Sequence, residues 1–195
     1  MHEHPPVELA QLGSGLTAPR NGSWQVALDA PARSVMTDFS DRNLVTVDAK
    51  IPVDTALEVM KHAGVRSAFV LDERRERVLG LVTAHDIMGE KPIRHLQSIG
   101  CTHLTCTRDD VKVEDVMERA HAWYVIRLAV VEGATVGAML DAFARVGRTH
   151  VPVVEEGEGG EPRLRGVFSR AKLQRLTEES RKASAARRTR TAVAG

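Results

Sequence analysis

Apolar residues in this chain switch between two periods, and the switching itself repeats. Val53, Ala56, Leu57 and Met60 recur at spacings of three and four, the pattern of one helix face, and Gly64 stands where such a helix would end. An extended stretch, Leu44 to Val47, precedes it. After it come a strand from Arg66 to Leu71, a charged turn from Asp72 to Arg77, a second strand from Val78 to Val82, and a helix opening near Thr83. The predicted order is strand, helix, strand, strand, helix.

That order returns from near Val125. A helical pattern runs from Val136 to Gly147, a strand from Thr149 to Val154, a polar turn from Glu155 to Pro162, and another strand from Arg163 to Phe168. Gly64 and Gly147 are 83 positions apart, whereas Gly80 and Gly166 are 86 apart. The extra residues therefore fall in the hairpin turn, where insertions cost little. Short leaders match as well, Ser34-Val35-Met36-Thr37 with Asp115-Val116-Met117-Glu118. An internal repeat of this kind governs the reading of the whole chain. The expected layout is an N-terminal arm or hairpin (1–31), loose or packed onto the first unit, then a first unit (32–90), a connection (91–112), a second unit (113–177) and a basic tail (178–195).

One junction carries candidate chemistry. A strand ending at Val82 and a helix starting near Thr83 place a hydroxyl at a helix N-terminus, where backbone N–H groups favour phosphate oxygens. Asp86 follows one turn later, and its carboxylate can accept from two adjacent ribose hydroxyls. The same two residues also fit a capping box, Thr83 at the N-cap and Asp86 at N3, which needs no ligand. Both readings stay open at this point.

The segment Gly80-Leu81-Val82-Thr83-Ala84-His85-Asp86 matches the Gly-hydrophobic-x-Thr/Ser-x-x-Asp signature of CBS (cystathionine-β-synthase-type) domains, and the duplicated units resemble a tandem CBS pair over roughly residues 33 to 177. The second copy, Gly166-Val167-Phe168-Ser169-Arg170-Ala171-Lys172, keeps the glycine and hydroxyl but has lysine where the family has aspartate. Val151-Pro152-Val153-Val154 resembles the family's apolar-Pro-Val strand, and Gly89-Glu90-Lys91-Pro92-Ile93 resembles bacterial stand-alone members. The resemblance implies an α+β fold, two tandem β-α-β-β-α domains packed as one pseudo-twofold module.

It further implies a regulatory module that senses an adenine-containing nucleotide (AMP, ADP or ATP) or S-adenosylmethionine, with no required cofactor. Thr46, Val65, Arg66, Ser67 and Ala68 would line the adenine cleft, with Thr83, His85 and Asp86 on ribose and phosphate. Arg148, Thr149, His150, Pro152, Ser169 and Lys172 would form a second cleft. Lysine cannot accept from a ribose hydroxyl but pairs with phosphate as a point charge. The output would go to a partner protein or to the chain's own homodimer. The alternative is a non-catalytic dimerisation module with vestigial clefts.

Composition narrows the alternatives. The 43% apolar and 27% charged fractions are those of an ordinary globular chain. Only 4% of residues are aromatic, which leaves few rings to stack single-stranded bases. A net charge of +1 supplies no global field for nucleic acid. The exception is the basic tail around Arg187, Arg188 and Arg190, which reads either as a solvated end or as an arm for nucleic acid or an acidic partner. No apolar run approaches the ~20 residues of a membrane span, and a cytoplasmic protein is expected. Cys101 and Cys106 are too few for a disulfide framework and are expected as free thiols in a reducing compartment. Together with His95 and His103 they lack zinc-ligand spacing, so no metal site is expected. The chain carries no P-loop, GxSxG elbow or HExxH, and catalysis is not expected.

Overall fold

The computed structural model describes residues 24–101, 106–178, 180 and 182. In chain order the elements are β1 (Thr37–Asp38), β2 (Thr46–Asp48), α1 (Val53–His62), β3 (Ser67–Leu71), β4 (Val78–Thr83), α2 (Ala84–Met88) and α3 (Lys91–Ser98). There follow α4 (Val113–Val116), β5 (Glu118–Arg119), β6 (Ile126–Arg127), α5 (Leu128–Glu132), α6 (Val136–Val146), β7 (His150–Glu156), β8 (Pro162–Ser169) and α7 (Arg170–Leu176).

The repeated pattern folds as its periods predict. α1 buries Val53, Ala56 and Met60, and α6 buries Val136, Met139 and Phe143. Beyond these helices Gly64 and Gly147 share φ = 65°, a left-handed conformation that lets the chain turn into the next strand without a Cβ penalty. The first hairpin turn is organised by Asp72, whose carboxylate accepts from Glu76 N–H at 2.8 Å and Arg77 N–H at 3.1 Å. Two helices lie outside the repeated order. α3 occupies the connection, and α5 fills the segment between β6 and α6, which is four residues longer than its counterpart between β2 and α1.

The leaders cross over. One sheet has the order β2-β3-β4-β5 and the other β6-β7-β8-β1, so each takes its edge strand from the leader of the opposite repeat. Thr37 pairs with Val167, and Glu118 with Leu81. Val35 and Met36 accordingly sit in the second repeat's core, and Val111, Val113 and Val116 in the first. This crossing explains the glycine at the head of each motif. A Cβ on Gly80 would lie 2.5 Å from the Glu118 carbonyl oxygen and 2.9 Å from the Met117 sulfur. A Cβ on Gly166 would lie 2.6 Å from the Thr37 carbonyl oxygen and 3.1 Å from the Met36 sulfur.

A third cluster joins the sheets. Phe69, Leu81 and Val167 are buried there, with Phe39, Leu44, Val78, Trp123 and Leu164 packed around them. Phe69 meets Phe39 and Trp123 edge-on, at centroid distances of 5.6 and 5.9 Å. Ala68 and Val70, on the other face of β3, belong to the first core, so this strand is covered on both faces and shows a continuous apolar run.

Two expectations are corrected. Residues 24–31 pack on the second repeat: Val26 N–H donates to the Leu176 carbonyl at 2.7 Å, and Gly137 N–H to the Leu28 carbonyl at 2.7 Å. The duplicated pattern gives no hint of this, because it does not include those residues. The cysteines are not free thiols: Cys101 and Cys106 form a disulfide, which two cysteines suffice to make once the chain brings them together. Residues 1–23, His103 and most of the basic tail lie outside the described residues.

Candidate functional site

β4 delivers Thr83 to the N-terminus of α2 in extended backbone, and the capping box forms. Asp86 N–H donates to Thr83 Oγ1 at 3.1 Å, and Thr83 N–H donates to Asp86 Oδ2 at 2.9 Å. The Thr83 hydroxyl donates to the same Oδ2 at 2.7 Å. Oδ1 pairs with Lys91 Nζ at 2.7 Å, and that ammonium also donates to the Val116 carbonyl at 2.8 Å. A carboxylate has about four acceptor positions, and three of these are occupied. A ribose diol, which needs two, must therefore displace one of these donors, the Thr83 hydroxyl or Lys91.

Room exists beside this carboxylate. A cavity of about 340 Å³ is lined by His85, Asp86, Gly89, Glu90, Lys91 and Arg94, and its cations suit an anionic group. His85 and Arg66 are exposed; Val65 and Ser67 are half-buried. Arg66 receives Ala84 N–H on its carbonyl at 2.9 Å, which ties the end of the α1–β3 loop to the start of α2. Ala68 is placed differently from a cleft-lining residue, since its methyl is fully buried in the first core. Thr46 lies on β2 opposite Phe69, and its hydroxyl accepts from Arg75 at 2.7 Å.

The second set of predicted residues lies just before and along β7, at the end of β8 and in α7, with His150 opposite Ser169. Arg148 Nη1 lies 3.0 Å from Glu118 Oε1, without hydrogen-bond alignment, and its Nη2 donates to the Ala122 carbonyl at 3.2 Å. His150 lies within electrostatic reach of Asp86; burial pushes its pKa down and Asp86 opposes the shift. Its Nδ1 is 3.1 Å from the Thr149 hydroxyl. Pro152 is buried in β7. Ser169 starts α7 without a side-chain cap, and Lys172, unlike Asp86, has no side-chain acceptor for the reciprocal bond of a capping box. Lys172 Nζ reaches Thr37 Oγ1 at 3.5 Å, and burial, with Arg42 and Arg175 nearby, pushes its pKa down. Arg148 thus faces the second repeat's own leader where that leader joins the first sheet, and His150 faces Asp86 of the first repeat, whereas Lys172 stands among other cations.

Lys91 and Arg75 escaped the sequence reading. Lys91 is five residues beyond Asp86, and the break at Gly89 between α2 and α3 hides any helical spacing between them. Arg75 reaches Thr46 only because its own φ of 59° turns the hairpin back over β2. Among the described residues, no cluster of three or more metal-ligating side chains occurs, and no helix is long and apolar enough to cross a membrane.

Comparison with known proteins bears on the fold. The CBS domain family model matches residues 32–92. An uncharacterized conserved protein from Pyrococcus horikoshii is 23% identical, covers 77% of this chain and 93% of its own, and superposes with a TM-score of 0.50. A CBS domain protein of unknown function from Thermoplasma acidophilum is 18% identical over 74% of this chain and 67% of its own, also at 0.50. CBSX2, solved in complex with AMP, is 21% identical over 75% of this chain and 94% of its own, at 0.49. No curated protein matches the chain. The CBS domain model thus matches the first repeat, residues 32–92, and the second half repeats the same element order with the leaders exchanged, a fold similar to that of these solved structures.

Proposed function

We propose that the chain is a non-catalytic regulatory module that binds an adenine-containing nucleotide at Thr83 and Asp86 and passes the event to a partner protein or to its own homodimer. The observation that carries this reading is a carboxylate at a helix N-terminus, next to a cavity lined by His85, Lys91 and Arg94. Ribose hydroxyls would replace Lys91 on Asp86 Oδ1, and the freed ammonium would pair with a ligand phosphate, so that one cation serves both states. Arg66, Ser67 and Thr46 supply the neighbouring wall. Because Lys91 also holds the Val116 carbonyl, its departure would be felt by the leader that crosses between the repeats. Such coupling is bounded by the ligand's differential affinity for the two states.

A second reading, an assembly module with vestigial clefts, draws support from the same geometry, since the capping box and Lys91 satisfy most of Asp86 without a ligand. Calorimetric titration with AMP, ADP, ATP and S-adenosylmethionine separates the two. Saturable binding, weakened at least tenfold in Asp86→Ala by loss of charge-assisted bonds of roughly 1.5–3 kcal/mol each, is expected. Absence of binding to the unmodified chain would favour the assembly module.

A further inference from the structure

The disulfide Cys101–Cys106 lies in the connection between the repeats, with Cα atoms 5.7 Å apart. The chain leaving each end of this small ring delivers a cation to α2. On one side Cys101 N–H donates to the Leu96 carbonyl at 2.9 Å, joining the ring to the last turn of α3. The first residue of that helix, Lys91, reaches Asp86 Oδ1 and the Val116 carbonyl. On the other side Thr107 is capped by Asp110, its N–H donating to Oδ2 at 2.7 Å. The next residue, Arg108, donates to the Ile87 carbonyl at 3.0 Å and grips the Asp54 carboxylate through Nε and Nη2 at 3.1 and 2.8 Å. α2 is thus held at Asp86 from one side of the ring and at Ile87 from the other, and the sulfur bridge fixes the spacing of the two holders.

We propose that Cys101 and Cys106 are a reversible dithiol–disulfide site whose oxidation state sets how firmly Lys91 and Arg108 clamp α2. Both residues are half-buried, so small thiols and disulfides have access. In the oxidising direction one cysteine thiolate attacks oxidised glutathione and expels one glutathione thiolate, leaving a mixed disulfide. The second cysteine thiolate attacks the protein sulfur of that mixed disulfide, closes the ring and expels the second glutathione. Two electrons pass from the protein to the oxidant, and the two cysteine protons go to the released thiolates. Excess glutathione reverses both exchanges. With the bond open, α3 loses its covalent tie to the Thr107–Asp110 turn and keeps only noncovalent ones to the chain beyond it, Lys91 to Val116 and His95 to Asp115, so the two grips on α2 loosen. The inference does not depend on the nucleotide reading.

The test equilibrates the full chain across a series of reduced-to-oxidised glutathione ratios, counts thiols by maleimide mass addition, and follows backbone hydrogen exchange over residues 83–98. The thiol count should titrate between the fully reduced and fully bridged forms, with exchange in α2 and early α3 roughly tenfold slower in the bridged form. The Cys101→Ser/Cys106→Ser chain should exchange like the reduced form at every ratio. Lys91→Met combined with Arg108→Met should remove the redox sensitivity of α2 while leaving the thiol titration intact. Thiols that never pair, a bond that no ratio reduces, α2 exchange indifferent to the bond, or sensitivity that survives loss of both cations would each overturn the proposal.

Discussion

Asp86 and Lys172 hold equivalent places in the two repeats, three residues beyond the hydroxyl that opens a helix, and only the first pair forms a capping box. Thr83 both accepts from and donates to Asp86, while Ser169 makes no such bond. Thr83→Ala should therefore cost about 1 kcal/mol. Ser169→Ala should cost about 0.5 kcal/mol or less, as at an ordinary surface position. Urea midpoints of the two variants give the comparison, and equal losses would mean that the cap carries little stability. Asp38 should contribute stability that is lost in acid. Hydrogen bonding from the Arg165 guanidinium, at 2.9 Å to Oδ1 and 3.1 Å to Oδ2, is the main cause that holds its carboxyl well below the usual carboxylate range, against the opposing effect of burial. A depressed folded pKa contributes stability that is complete above the unfolded value of about 3.9 and is lost as pH falls below it. Denaturation midpoints of the unmodified chain should thus drop on going below about pH 4. Asp38→Asn should flatten that part of the profile; an unchanged slope would assign the acid sensitivity elsewhere.

Among the elements, the exchanged leader strands do most to shape the fold. β1 and β5 are only two residues long, yet each completes the opposite repeat's sheet and passes a methionine over a glycine. Gly80→Ala and Gly166→Ala should each destabilise by roughly 1–3 kcal/mol, since the obstructing atoms are backbone carbonyls that cannot step aside. Thermal unfolding measures this, and a tolerated alanine at either position would show that the crossing strand can shift. The glycines themselves were legible in the sequence as motif positions, but the strand that requires them was not. Each leader is adjacent in sequence to its own repeat, and an apolar Val-Met pair fits either core equally well. α3 was illegible for a different reason: at eight residues it is too short for its apolar positions, Pro92, Ile93 and Leu96, to establish a period.

At the scale of the whole molecule the exchange has a thermodynamic consequence, because neither core is complete without chain from the other half. Val116 sits in the first core and Val35 in the second, and Phe69 bridges the sheets between Phe39 and Trp123. The module should unfold in one transition. Trp123 fluorescence, followed in a Trp24→Phe background, and far-UV circular dichroism should give the same urea midpoint. Separated midpoints would mean that the repeats open independently.

The sequence by itself determined the repeated strand-helix-strand-strand-helix order, the helix-ending glycines Gly64 and Gly147, and the Thr83–Asp86 junction, because each follows from contacts within a few residues or from periodicity along one element. Tertiary structure alone decided the exchange of leaders, the docking of residues 24–31 on the second repeat, the approach of His150 to Asp86, the Lys91 contact with Asp86 and the cysteine bridge. Those outcomes depend on which surfaces meet in space. A local pattern that is nearly identical in both halves cannot say which half a segment will join; the joint packing of two cores, each completed by a leader from the other half, selects between them.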